Sequence, residues 1–450
     1  MIKKIECLLW IALIILCVKL GYDLYCPSEQ GRNLYVTDQS QKAEKPTEIE
    51  SAGQNEQSGV LPGIYDSREN GRAPSVKNQG DLGTCWAVTA TSALEASLMP
   101  NSQKIFSADH MSLQNGFSKK QNDGGDYKMV MAYLAGWQGP VLEEEDPYGD
   151  GVSPEGLLPA YHVQEMQLIK SKDYEAVKQA VMKYGAVQSS IYMDLKNEFS
   201  TSIYYNQLEY SYYYNGEAEA NHDILIIGWD DAYPAEKFNV NTKNNGAFIC
   251  QNSWGENFAD SGIFYISYED VNIGKNNVVY SKIESNTNYD KMYQTDQCGW
   301  VGQLGYGDDL CWFANKYQAE SQETLAAVGF YSVGEDTSYQ IFVLEIDEKM
   351  PSLAMEEPIV EGKLECAGFY TVSLDEEVVL KEGHNYFVAV KIHTPDAQYP
   401  VATEYAADEA TKDVDILDGE GYISHNGVIW TNTESEHACN VCLKMYTKRR

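Results

Sequence analysis

The hydrophobic pattern divides the chain into stretches of different kinds. An apolar run from Cys7 to Val18 follows Lys3 and Lys4. Residues from about 27 to 59 are rich in Gln, Glu, Ser, Lys and Asn and cannot build a core. From Ala87 to Met99 small and apolar residues fall on nearly every side, the pattern of a helix buried within a domain. Residues 173–184 form a second helical stretch, with Tyr174, Val177, Val181 and Tyr184 on one face. Short apolar runs follow at 186–193, 224–229, 246–251 and 262–268, which read as strands. Helices first and strands second predict an α+β domain. Beyond about residue 286 the runs at 326–333, 339–346 and 385–392 alternate or are β-branched and aromatic, with turn residues between them. That spacing predicts an all-β sandwich.

The division expected is a signal peptide or signal-anchor at 1–26, a flexible polar linker at 27–59, the α+β domain at 60–285 and a β-sandwich domain at 286–450. The apolar run is shorter than the roughly 20 residues of a membrane span, and no small-residue cleavage site follows it, so cleavage and retention both stay open. With Lys on the starting side, either version places the rest outside the cytoplasm, in the extracellular space or at the cell surface. The membrane would be touched only through an uncleaved N-terminal segment. The linker would reach roughly 30 Å.

The 450 residues carry 33 basic and 67 acidic side chains, a net charge of −34. A field of that sign repels phosphate and argues against nucleic acid as a partner. The 10 Cys are too scattered for a disulfide framework. A bridge between Cys298 and Cys311 stays open. Cys439 and Cys442 lie on opposite faces of an expected strand, which argues against a metal site. Neither metal nor cofactor is expected.

Three segments carry candidate chemistry. In Gln79-Gly80-Asp81-Leu82-Gly83-Thr84-Cys85-Trp86, Cys85 stands where a Gly-containing loop meets the buried helix. A helix N-terminus favours thiolate, the form that attacks a carbonyl. Of the seven His, His222 follows the polar stretch 215–221 and opens the strand Ile224–Trp229, where a ring can face a cleft. His110 and His162 read as solvent-facing or capping residues. Asn252, in Gln251-Asn252-Ser253-Trp254-Gly255, ends another strand and can hold an imidazole in one tautomer, with Trp254 keeping water away.

Together these segments resemble the papain-like cysteine protease family over about residues 60–285, a likeness in which the Cys signature with later His and Asn is itself a known rule. The resemblance implies a helical left lobe and a β-rich right lobe with a cleft between them. It implies that Gln79, Cys85, His222 and Asn252 are catalytic, with Gln79 and the Cys85 N–H facing the oxyanion. Asp123-Gly124-Gly125-Asp126 looks like the family's substrate-pairing wall, and residues 106–114 and Asp146-Pro147-Tyr148 match further markers. Gly124, Gly125, Asn221, Asp223 and Trp254 are the expected substrate-binding residues.

The chain also departs from the family pattern. Leu82 and Asn122 stand where the family has a disulfide. Asp223 replaces a small residue bordering the pocket for the second substrate residue before the cut, which suggests a preference for basic or polar groups. The usual long propeptide is missing, and residues 230–241 look like an insertion. The last third is similar to the lectin-like domain that follows bacterial surface proteases of this type. That implies a cell-wall or surface glycan, with Trp300, Trp312 and Trp430 either stacking on it or buried as core. The function expected is a peptide-hydrolysing cysteine endopeptidase acting on polypeptides through a thioester. The rivals are an inactive protease-like adhesin and a Cys-His acyl transferase such as a transglutaminase or transpeptidase.

Overall fold

The computed structural model describes residues 60–347 and 349–450. The expected signal segment and linker lie outside these residues. No helix among the described residues is long and apolar enough to cross a membrane.

The central helix α1 spans Cys85–Leu98 and carries Ala at 87, 90, 93 and 96. Alanine forms helices best and lets neighbours approach closely, so α1 is buried along nearly its whole length. Pro100 follows directly and cannot continue it. It begins two residues earlier than the apolar pattern suggests, with Cys85 as its first residue. Helices α2 (Ala108–Leu113) and α3 (Tyr127–Ala135) pack against it. Helix α4 (Tyr174–Tyr184) is capped by the Asp173 side chain, which accepts from Ala176 N, and it stops at Gly185 with φ 89°.

The strands β1 (Ile64–Asp66), β2 (Tyr161–Ile169), β3 (Val187–Ile191), β4 (His222–Asp230), β5 (Ala247–Gln251), β6 (Ile263–Ser267) and β7 (Asn277–Ser285) form the sheet of the N-terminal half. Strand β4 is buried on both faces except at its last residue. That explains its unbroken apolar run. It pairs antiparallel with β3 on one side and β5 on the other.

The C-terminal half adds β8 (Glu323–Ser332), β9 (Ala367–Leu380) and β10 (Leu443–Arg449). They form one face of a sandwich whose other face is a six-stranded antiparallel sheet containing Leu310–Gln318, Thr337–Ile346 and Asn385–His393. Phe313, Val388 and Val390 of one face meet Val328, Phe330 and Met445 of the other in a dry core.

The two halves share a sheet. Strand β9 pairs antiparallel with β2, Ala367 opposite Leu168 through Tyr370 opposite Glu165. One sheet of 13 strands therefore runs through both halves. A core also crosses the boundary, joining Trp86, Tyr133 and Met166 to Trp300, Tyr331, Phe369 and Tyr446.

Two expectations, those for His162 and His110, need correcting. His162 lies on β2, buried, with its ring stacked 3.7 Å from that of Trp137 and Nδ1 2.6 Å from Asn288 Oδ1. His110 is buried with Nδ1 2.6 Å from Tyr133 Oη. Neither faces solvent, because each ring has an aromatic wall and a polar partner inside the fold. Cys298 and Cys311 are free thiols, directed at the carbonyls of Gly116 and Ser424 respectively. Cys439 and Cys442 are both buried. Trp300 and Trp312 are core residues, and Trp430 donates Nε1–H to Pro351 O.

The shared sheet has a checkable consequence. Gly368 has φ 147°, and a Cβ there would stand 2.0 Å from Met166 O. Gly368→Ala is expected to destabilise by more than about 1 kcal/mol and to lower the temperature of a single calorimetric transition covering both halves. Two separate transitions in the parent protein would contradict the shared core.

Candidate active site

Helix α1 runs against strand β4, and Thr89 Oγ1, one turn beyond Cys85, donates to Asp223 O at 3.2 Å. That contact brings the first residue of the helix to the mouth of the strand. Cys85 as a residue is partly exposed, while its sulfur is largely desolvated and takes hydrogen bonds from the backbone of Asp223, Trp86 and Cys85 itself.

His222 is the first residue of β4 and 8% exposed. Its Nε2–H donates to Asn252 Oδ1 at 2.7 Å. This fixes the tautomer and leaves Nδ1 with the lone pair of a base. Asn252 is held in turn, since its N–H donates to Gly262 O and its Oδ1 accepts from Ser253 N. The Trp254 ring lies 5.1 Å from the imidazole at 43° and covers this pair.

Gln79 is buried in its own frame. Its Oε1 accepts from Ser253 Oγ at 2.6 Å and its Nε2 donates one hydrogen to Leu82 O at 2.7 Å. The second Nε2 hydrogen is left for another acceptor. Its backbone N–H donates to Ser253 O, and its carbonyl accepts from Tyr148 Oη at 2.9 Å. The Tyr148 hydroxyl also bonds Thr84 Oγ1, on the residue before Cys85. Neither Ser253 nor Tyr148 was assigned this bracing role from sequence. Their only sequence signals were their places inside the Asn252–Gly255 and Asp146–Tyr148 motifs.

The wall beside Cys85 is built without a disulfide. Asn122 Oδ1 accepts from Gly83 N at 2.8 Å, and a Cβ on Gly83 would meet Asn122 O at 2.9 Å. A hydrogen bond and a close backbone approach thus tie the two loops where the family uses a bridge. A Cβ on Gly125 would strike the Trp86 ring at 2.5 Å, while Gly124, at φ 75°, faces open space. Asn221 is pinned to Met193 through both ends of its amide. Its side chain thereby orients the strand mouth. The Asp223 carboxylate accepts from Gln188 Nε2 at 2.9 Å and Ser190 Oγ at 2.7 Å, and Tyr280 Oη donates to Gln188 Oε1.

Burial sets the charge state. It pushes the Cys85 thiol up to about 12, with the Asp223 carboxylate adding to the shift. It lowers the His222 imidazole to about 4 against the pull of Asn252. Desolvation therefore works against a lone thiolate and a lone imidazolium alike. Burial also raises Asp223 to about 6.

Residues 61–284 match the family described as papain family cysteine protease, and residues 292–447 match the lectin like domain. This is a papain-family cysteine protease domain joined to a lectin-like domain. Among curated proteins it is similar to mouse cathepsin K, 26% identical over 212 residues, and to bovine cathepsin S, 26% identical over 261 residues. The matches take in 45% and 54% of this chain and 59% and 66% of those proteins, so less than two thirds of either is spanned. Among solved structures it is similar to the cysteine protease and lectin-like domains of Cwp84, a surface layer associated protein of Clostridium difficile. There the identity is 25% and the TM-score 0.76, with 89% of this chain and 91% of that one covered. A structure of the clostridial protease after propeptide cleavage gives 25% identity and a TM-score of 0.74, covering 86% and 99%.

If burial rules the site, an imidazole titration followed by NMR on isotope-labelled histidine will place the midpoint of His222 near 4. A midpoint near the free-histidine value of about 6.5 would mean the ring is solvated.

Proposed function

We propose that this protein is an extracytoplasmic cysteine endopeptidase that hydrolyses polypeptides through Cys85, His222, Asn252 and Gln79. The observation that carries the reading is the covered His222–Asn252 hydrogen bond beside the N-terminus of α1. His222 Nδ1 takes the proton of Cys85 Sγ, and the sulfur attacks the substrate carbonyl. The Cys85 N–H and the free Nε2 hydrogen of Gln79 receive the oxyanion, each donor of this kind being worth about 2.7–4 kcal/mol. His222 passes its proton to the leaving amine, and the thioester remains on Cys85. Water then attacks, giving its proton to His222, and the acid leaves as the thiol reforms.

Each charge alone is penalised by burial, but proton transfer creates both at once, and their mutual attraction offsets the cost. The likeness to a surface layer associated protease supports action at the cell surface, and the lectin-like domain supports a glycan partner. Such a glycan would not stack on Trp300 or Trp312, which are buried.

Cys85→Ala is expected to abolish peptide hydrolysis and labelling by an epoxide probe while leaving the melting temperature unchanged. Hydrolysis retained by that variant would end the assignment. Gln79→Ala is expected to lower kcat by about 10²–10³, with little change in KM. Product analysis with an added amine separates hydrolysis from transfer, since a peptidase yields mainly the free acid.

Substrate preference forms a finer part of the proposal. Asp223 carries charge above about pH 6, and the Asp126 carboxylate adds to the negative field there. Cleavage after Arg at the second substrate position is expected to gain on Phe as pH rises from 5 to 7. Fluorogenic dipeptides favouring Phe or Leu throughout that range would refute it.

A further inference from the structure

Three acidic side chains converge on the helical lobe behind the oxyanion loop. One oxygen from each of Asp109, Asp146 and Asp150 lies within 4.8 Å of the others. Asp109 is the second residue of α2, and Asp146 and Asp150 flank the turn that carries Tyr148.

Two of the three are fully enclosed, with Asp109 0% and Asp146 1% exposed. Each carboxylate has one oxygen fixed by a protein donor. Gln121 Nε2 donates to Asp109 Oδ1 at 2.5 Å, Ser153 Oγ to Asp146 Oδ2 at 2.5 Å, and Val152 N to Asp150 Oδ1 at 2.9 Å. The remaining oxygens of the buried pair, Asp109 Oδ2 and Asp146 Oδ1, have no hydrogen-bond partner. A buried acceptor left without a partner is unfavourable, and more so when charged. No compensating cation stands among their charged neighbours: Asp109 feels Asp146 and Asp150, and Asp146 feels Asp150. Burial of like charges without a counter-ion is the arrangement that folding avoids. Here donors outside the triad hold each carboxylate in place, the Gly149 N–H also acting on Asp109, and Asp146 keeps a buried oxygen without a partner among the described residues.

We infer that Asp109, Asp146 and Asp150 form a binding site for a hard divalent cation, and that the cation is Ca²⁺. The ligands are all oxygens, without the imidazole or thiolate that would select zinc or copper. Three oxygens within 4.8 Å of one another fit the large and flexible oxygen shell of Ca²⁺, with bonds of roughly 2.3–2.6 Å. Mg²⁺ demands a stricter octahedron. The open side at Asp150 admits the waters that would complete the shell.

The site has a structural consequence for the cleft. The turn from Asp146 to Asp150 holds Tyr148, whose hydroxyl bonds Gln79 O and Thr84 Oγ1. A cation joining that turn to α2 fixes the loop of Gln79 and the residue preceding Cys85 from behind.

Binding is read on the full-length Cys85→Ala variant, so the result does not depend on the peptidase reading. Calcium titration by calorimetry, with terbium luminescence as a second probe, is expected to show one saturable site. Saturating Ca²⁺ should raise the melting temperature above that in EDTA. Asp150 is exposed, so Asp150→Asn keeps the fold while removing one charged ligand. It should weaken Ca²⁺ binding at least about tenfold, because affinity follows ligand charge. Glu155→Gln, an exposed acid outside the triad, should leave binding unchanged and so separates the site from general attraction to an acidic protein. No saturable binding at 10 mM Ca²⁺, or equal affinity in Asp150→Asn and the parent, would overturn the proposal. Tighter binding of Mg²⁺ or Zn²⁺ than of Ca²⁺ would overturn the choice of ion.

Discussion

The contact between helix α1 and strand β4 is what the rest of the cleft depends on. These elements come from opposite lobes and are far apart along the chain, yet Thr89 meets the backbone of Asp223 directly. The small residues of α1 permit that approach. Because the contact lies one turn from the helix start, it sets the first residue of α1 beside the first residues of β4. The N-terminus then supplies what the chemistry requires. Thr84 O accepts from Ala87 N and Val88 N, while the N–H of Cys85 has no partner within the helix. With Cys85 as the proposed nucleophile, the first helical residue would carry its own oxyanion donor.

The same burial that builds the cleft works against its charges. A lone thiolate or imidazolium would be penalised there, as the directions of both shifts show. The surroundings of His222 offset that penalty without removing it. Asn252 accepts one ring hydrogen and has its own oxygen held by Ser253 N, while Trp254 excludes water. In a low-dielectric setting the hydrogen bond gains strength. In the proposed mechanism the ring so held would take a proton only as the thiol gives one up.

The parts legible in the sequence were those written in consecutive residues. Cys85 at a loop–helix junction, His222 at the mouth of an apolar run and Asn252 after another run each announce themselves within about ten positions. The strands of the sandwich were legible for the same reason. The bracing contacts were not. Ser253 with Gln79 and Tyr148 with Thr84 join segments whose closeness exists only after folding. His110 looked like a surface residue because it stands in a polar helical start, and His162 because it follows Pro159-Ala160-Tyr161 in an apparent loop, whereas an aromatic ring lies against each in space. Strand β2 was missed because Gln164, Glu165 and Gln167 break its apolar alternation. Those positions face neighbours in a sheet that the C-terminal half completes.

That completion bears on the cleft as well as on the fold. The loop from Gly116 to Gly125 is held at both ends. At its start, Gly116 O accepts from the thiol of Cys298, and Ser118 bonds Ala410 O and Asp413 through its N–H and hydroxyl. Near its end, Asn122 holds Gly83 and Gly125 lies against Trp86. One anchor belongs to the lectin-like domain and the other to the residues flanking Cys85. Lacking the family's disulfide at Leu82 and Asn122, the wall takes its rigidity from this double attachment. The lectin-like domain is thus part of the frame that shapes the cleft, joined to it by hydrogen bonds, a shared core and a continuous sheet.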